Sequence, residues 1–248
     1  MIKLNRGECP EALNDEVCEE LTKLYAQNKD RDVWNSPKIK KPLKEALLEM
    51  SHYKCSYCEC SVEIESKDVT IDHFLPKSLH PDLVVEWENL FPACFRCNRA
   101  KNTCDDILLN PCENDPKYFL ALHKKNPFRL RGIDSEGIGK KTIEEINLND
   151  ITRVMTPRMR ECEATHQWLE KILQELNEHG YKSKLRKQLA NLMTDCTCSG
   201  TYSAVKAANL LADECYLDIR RIMMDNGQWN SGMEQLEEEI ELIALQII

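Results

Sequence analysis

Apolar residues recur along the chain at helical spacing over most of its length and alternate at strand spacing only briefly. Val17, Leu21 and Leu24, at i, i+4 and i+7, predict a helix over Asp15–Tyr25. Pro42 suits a first helical turn, and Leu43, Ala46, Leu47 and Met50 form one stripe behind it. Val69-Thr70-Ile71 is short and β-branched and reads as a strand. A second element is expected around Val84–Leu90, and a helix starting near Cys97 or Asn98. Pro111, Pro116 and Pro127 then break the chain, and Glu136-Gly137-Ile138-Gly139 reads as a turn before a short strand or helix over Thr142–Leu148. Three amphipathic helices follow. Trp168 or Leu169, Ile172, Leu173 and Leu176 mark the first; Val205, Ala208, Leu211 and Cys215 the second. Met233, Leu236, Ile240, Ile243 and Ile247 mark the third, at heptad-like spacing. Lys182, Lys184, Arg186 and Lys187 form a basic cluster between the first two. The pattern predicts a mainly α chain with a small α+β insert. Its expected divisions are an N-terminal helical segment (1–41) that contacts a partner, a compact ββα core (42–106) and a mostly helical C-terminal region (107–248).

Composition narrows this picture. With 248 residues the chain can bury a core, and Gly and Pro are too few for a disordered or collagen-like protein. No apolar run approaches the ~18 residues that would span a bilayer, and the N-terminus lacks a signal-peptide core, so a cytoplasmic, reducing location with no membrane role is expected. There, thirteen cysteines are better read as metal ligands and reduced thiols than as disulfides. The net charge of −9 argues against strong binding of nucleic acid by the isolated chain. Lys38–Lys101, however, holds ten bases and ten acids and escapes the general acidity.

The cysteines give the most specific signal. Cys55-x2-Cys58 and Cys94-x2-Cys97, separated by 35 residues, supply four thiolates from two tight turns. Such a set closes a tetrahedral zinc site with no open position, so the Zn²⁺ would be structural. A small ββα unit needs a staple of this kind. Cys60 reads as a spare thiol beside the first pair, and Cys196 and Cys198 as ordinary reduced cysteines.

Between the knuckles lie Asp72-His73 at the end of the first strand, then Asn89, Asn98 and Lys101. Asp72 offers a carboxylate and Asn98 a carboxamide oxygen to a hard divalent ion, Mg²⁺ or Mn²⁺. The His73 imidazole titrates near neutrality and can take a proton from water. A cation on the phosphate and a base on the attacking water are the parts of phosphodiester hydrolysis. Lys77, Arg96, Arg99 and Lys101 flank these residues as candidate phosphate contacts.

The run Cys55-x2-Cys58, Asp72-His73, Asn89-Leu90, Cys94-x2-Cys97-Asn98-x2-Lys101 resembles the HNH nucleases of ββα-metal architecture. The resemblance makes His73 the general base, Asp72 and Asn98 the ligands of the catalytic metal, and Asn89 the residue that holds the His73 loop by its backbone. Asn98 stands where the family often has His. Over a longer span, Lys3-Leu4-Asn5-Arg6-Gly7-Glu8-Cys9-Pro10 and Lys141-Thr142-Ile143-Glu144 with Asn147-Leu148-Asn149 are similar to the HNH subunit of Septu-type anti-phage systems, the PtuB family. That resemblance implies a PtuA-like ABC-type ATPase as partner and, in systems of the retron type, a reverse transcriptase and its msDNA.

Three functions fit these residues: a nuclease acting on DNA, favoured here, the same chemistry on RNA such as transfer RNA, and a non-catalytic zinc-knuckle adaptor. The stripe from Met233 to Ile247 fits a docking helix as well as one packed in its own core.

Overall fold

The computed structural model describes residues 1–62 and 69–248. These fall into two compact units. One comprises Lys3–Asp115 with Lys141–Leu148; the other comprises Met1–Ile2, Pro116–Lys140 and Asn149–Ile248. The division passes neither after residue 41 nor at 106. The N-terminal helical segment belongs to the same unit as the ββα core.

In the first unit, α1 (Asp15–Gln27) starts where the Asn14 side chain accepts from Val17 N, which satisfies one of the unpaired first-turn amides. It buries Leu21 and Tyr25. α2 (Lys40–Met50) buries Leu43, Leu47, Leu48 and Met50, close to the stripe read from sequence. The first strand, β1 (Val69–His73), pairs antiparallel with β2 (Leu90–Cys94), His73 facing Leu90 and Val69 facing Cys94. The second strand therefore lies later than the expected Val84–Leu90, a stretch where two 3₁₀ turns at Pro81–Leu83 and Trp87–Asn89 carry the chain back instead. Pro92 is tolerated within β2 because the sheet has only two strands and needs no second ladder. α3 (Phe95–Lys101) begins at once, two residues before Cys97, and stops at Asn102 with φ +48°. An N-terminal strap crosses β2: the Arg6 guanidinium donates to Trp87 O and Leu90 O and sits 4.4 Å from the Phe91 ring centre.

The second unit is helical apart from one hairpin, β3 (Leu120–His123) with β4 (Asn126–Gly132), which the sequence pattern did not announce. Of the stretch Thr142–Leu148, expected to form a short strand or helix, Thr142–Glu145 end α4 (Ile138–Glu145) and Ile146–Leu148 follow as a turn; these residues belong to the first unit. The long α5 (Thr156–His179), α6 (Ser183–Asp195), α7 (Ser203–Leu211), α8 (Glu214–Asp225) and α9 (Ser231–Ile243) enclose a core that includes Leu169, Ile172, Leu189, Met193, Tyr216 and Ile219. Two corrections follow. The basic Lys182–Lys187 stretch opens a helix, because Leu185, Leu189 and Met193 recur every fourth residue and are buried. The stripe running to Cys215 is two helices, broken where Asp213 caps α8 by accepting from Cys215 N and Tyr216 N. Met233 and Ile240 of α9 join the same core, so that stripe is an internal packing face. Ile247 lies beyond the helix, in a parallel bridge with Leu122. No described helix is long and apolar enough to cross a membrane.

Candidate active site

The two CxxC turns meet as their spacing requires. The Sγ atoms of Cys55, Cys58, Cys94 and Cys97 all lie within 4.8 Å of one another and are buried. Cys58 and Cys94 sulfurs are 3.8 Å apart. That separation is the edge of a tetrahedron of roughly 2.3 Å zinc–sulfur bonds, so the donor set fits Zn²⁺ without rearrangement. Cys60 is buried close by but lies outside the mutually close four. The first turn approaches the sheet directly, since Ser56 N donates to Pro92 O at 3.0 Å. All thirteen cysteines are free thiols. Among the described residues two other groups approach a metal-ligand arrangement, His166/Asp213/Cys215 and Cys104/Asp106/Glu145. Each has an ordinary explanation: Asp213 is the α8 cap and pairs with His166 at 2.6 Å, and Asp106 pairs with Lys141 at 2.9 Å.

β1 ends in Asp72 and His73, both nearly inaccessible, at 2% and 6% exposure. His73 Nε2 lies 2.9 Å from Val84 O. A carbonyl oxygen only accepts, so Nε2 carries the hydrogen and the lone pair of the neutral ring sits on Nδ1. The Trp34 ring packs edge-on against the imidazole, 4.8 Å between centres at 77°. Burial lowers the His73 pKa to about 4, with Lys77 and Lys101 adding repulsion against the Val84 hydrogen bond, so the ring is an unprotonated base at neutral pH.

Asp72 is bound on both oxygens. Tyr57, itself fully buried, donates to Oδ2, and Lys101 Nζ lies 3.3 Å from Oδ1. Desolvation raises the Asp72 pKa to about 6, opposed chiefly by the Lys101 charge and the Tyr57 hydrogen bond. A carboxylate so disfavoured by burial gains most from a further cation, and each oxygen has a second lone pair to offer. Asn98 Nδ2 donates to Thr70 Oγ1 at 2.9 Å and to Ile71 O at 3.4 Å. This anchors the carboxamide to β1 and leaves its oxygen as the donor for an ion. Asp72 and Asn98 thus fit the oxygen-ligand chemistry of Mg²⁺ or Mn²⁺.

Asn89 acts on the backbone. Its Oδ1 accepts from Leu75 N at 2.7 Å, and its Nδ2 donates to Leu75 O and Leu83 O at 3.1 and 3.2 Å. The three bonds close the loop that follows His73 and carries Val84.

Lys101 differs from its sequence reading as a phosphate contact. It is 1% exposed, and Nζ donates to His73 O at 2.6 Å as well as meeting Asp72. Its charge is committed inside the protein and ties α3 to the end of β1. Arg96 is half-buried and does not line the cleft beside Asp72 and His73, whereas Arg99 is exposed and does. Lys77 lines it too, with Nζ 4.0 Å from the Trp34 ring centre, and partial burial lowers its pKa.

That cleft encloses ≈ 790 Å³ and brings together Asp72, His73 and Asn98. The sequence reading missed Tyr25, Lys29, Trp34, Lys40 and Lys44, which also line it. They precede Cys55, where the motif begins, so no spacing within the motif reveals them. Five cations (Lys29, Lys40, Lys44, Lys77 and Arg99) surround one carboxylate, Asp72, among the described lining residues. In a chain of net charge −9 this is a local inversion of sign, and it suits a polyanion.

The HNH endonuclease family model matches residues 55–103, the interval containing both knuckles and the Asp72–Asn98 constellation. A Septu protein PtuB of Bacillus thuringiensis is 34% identical over 252 residues, covering 97% of this chain and 94% of that protein. A second Septu protein PtuB, from Bacillus mycoides strain KBAB4, is 32% identical over 111 residues, covering 32% of this chain and 37% of that protein. The chain therefore belongs to the PtuB family of Septu proteins, and its nuclease is of the HNH endonuclease type.

Proposed function

We propose that the chain is the nuclease subunit of a cytoplasmic anti-phage complex, that it cuts DNA with Mg²⁺ or Mn²⁺, and that a PtuA-like ABC-type ATPase is its partner. The observation that carries the chemistry is the juxtaposition, in one cation-lined cleft, of an imidazole of fixed tautomer with Asp72 and Asn98. His73 Nδ1 takes a proton from water, and the resulting hydroxide attacks the phosphorus. The P–O3′ bond breaks as the new P–O bond forms, giving a 5′-phosphate and a 3′ oxygen that takes a proton from solvent water to become the 3′-hydroxyl, while His73 returns its proton to solvent. Asp72 and Asn98 would hold a divalent cation, which when bound would supply charge stabilisation at the phosphate and the leaving oxygen. Val84 O keeps the Nε2 hydrogen in place as the ring gains its second proton. Lys101 and Tyr57 fix the carboxylate, and Lys77 and Arg99 meet flanking phosphates.

The overall acidity motivates the partner: a chain with charge −9 gains affinity for nucleic acid from another subunit. The test is cleavage of plasmid DNA and total RNA by the chain alone and with the ATPase. DNA cleavage that rises with the ATPase supports the proposal. Cleavage confined to RNA refutes the DNA assignment, and equal rates with and without the ATPase refute its role.

A further inference from the structure

Phe95 is left in water where an apolar ring has least reason to be. It follows directly on β2, whose five residues are all buried, yet it is 56% exposed itself. On α3 it shares one face with Asn98 and Arg99, at i, i+3 and i+4, and these three line the active-site cleft together with Asn102, which ends the helix. Other large apolar side chains are exposed among the described residues, Tyr53, Leu79 and Ile107 among them, but Phe95 is the one in the cleft. The ring therefore stands one helical turn from the candidate metal ligand Asn98 and beside the cation Arg99.

An aromatic face set among cations is the chemistry that holds unpaired nucleic acid. The cations follow the backbone, and the ring stacks on a base whatever its identity. A duplex offers the ring no free base face until a step is unstacked, which costs a few kcal/mol. We propose that Phe95 is a specificity-determining residue that stacks on an unpaired nucleobase next to the scissile phosphate, so that the site selects single strands and unpaired loops over intact duplex. The inference rests on the nuclease reading of the cleft and adds a substrate class to it.

The test uses the full-length chain together with its PtuA-like ATPase and Mg²⁺ or Mn²⁺, as wild type, Phe95→Ala and Phe95→Trp. The probes are a fluorescein-labelled oligodeoxynucleotide, the same sequence as RNA, and the DNA annealed to its complement. Wild type is expected to cleave at least one single strand with higher kcat/KM than the duplex. Phe95→Ala should lower kcat/KM on that strand roughly 5- to 100-fold, the loss of one base stack. Duplex cleavage should change less than about 2-fold, since no stack on the ring is lost there. Phe95→Trp should restore the single-strand rate, and zinc content should match wild type in both variants. Equal losses on single strand and duplex would overturn the inference in favour of a wedge that works within duplex. An unchanged single-strand rate in Phe95→Ala would overturn it as well. So would a wild type that prefers duplex, and in that case the nuclease reading stands. A wild type that, with the ATPase and the cation present, cleaves no probe overturns the inference and the nuclease reading together.

Discussion

Replacing Lys101 by Met removes a buried cation with little change of side-chain length. In the wild type that ammonium lies 2.6 Å from His73 O and 3.3 Å from Asp72 Oδ1, at 1% exposure. The variant leaves the Asp72 carboxylate buried with only the Tyr57 hydroxyl as a donor. Removing one partner of a buried ion pair costs about 3–5 kcal/mol, because the remaining charge is uncompensated. The carboxylate can escape part of that cost by taking a proton, so its pKa should rise above the already elevated value of about 6. The assay is guanidinium denaturation in the presence of zinc, for wild type, Lys101→Met, Asp72→Asn and the double variant. Lys101→Met should lose about 3–5 kcal/mol, and the double variant should fall short of the summed losses by about 1–3 kcal/mol. A loss below about 1 kcal/mol, with weaker and less salt-dependent substrate binding, would refute the reasoning. That outcome would mark Lys101 as a solvent-facing phosphate contact.

Further predictions concern the knuckle, the pH profile and the aromatic wall. Cys94→Ser should abolish stoichiometric zinc, measured by metal analysis, and unfold the unit that carries the site, because a small metal-tied core depends on its ion; a folded, zinc-replete variant would contradict the four-thiolate reading. At limiting divalent cation, cleavage should fall as the pH drops through about 6, where a proton competes with the cation for Asp72, and raising the cation concentration should move that limb to lower pH, while His73, lowered to about 4, stays neutral near 6. Asp72→Asn should remove that limb. For stability the two groups act oppositely. The depressed His73 contributes fully above its usual 6.5 and less as the pH falls toward 4. Asp72, raised from 3.8, favours the fold at low pH and loses that contribution as the pH rises through about 6. Trp34→Ala removes the ring that packs on His73 and carries Lys77, and should cost about 3–5 kcal/mol and lower kcat, with Trp34→Phe recovering most of both. An unchanged kcat in Trp34→Ala would show that the imidazole needs no such wall.

The zinc site was legible because a CxxC turn encodes its geometry within four residues, and two of them leave few other uses for the thiols. The order of Asp72, His73, Asn89 and Asn98 was legible for a related reason: each sits at a strand end, turn or helix start that the local pattern positions. Solvation was not legible. Lys101 has the same side chain in water or inside the protein, and only tertiary packing put its Nζ against His73 O. Long-range contact hid the rest of the cleft, since Lys29, Trp34 and Lys40 reach it from a segment read as partner-facing and Lys44 from the opening of the core, ahead of the motif. Pro92 disguised β2, and the run of charges from Lys182 to Lys187 disguised the buried stripe of α6. The β3–β4 hairpin was lost among prolines, with Pro127 in its second strand.

The central claim is that His73, held as a neutral base beside a divalent-cation site, performs phosphodiester hydrolysis. Its most direct test is the single-turnover rate of nucleic-acid cleavage by wild type and His73→Ala, with and without Mg²⁺ or Mn²⁺, with zinc measured in both proteins. Cleavage should require both the imidazole and the added cation, while zinc content stays equal. Undiminished cleavage by His73→Ala at equal zinc would contradict the mechanism. Wild type that cleaves nothing even with its partner and the cation would leave the zinc-knuckle adaptor as the description of this chain.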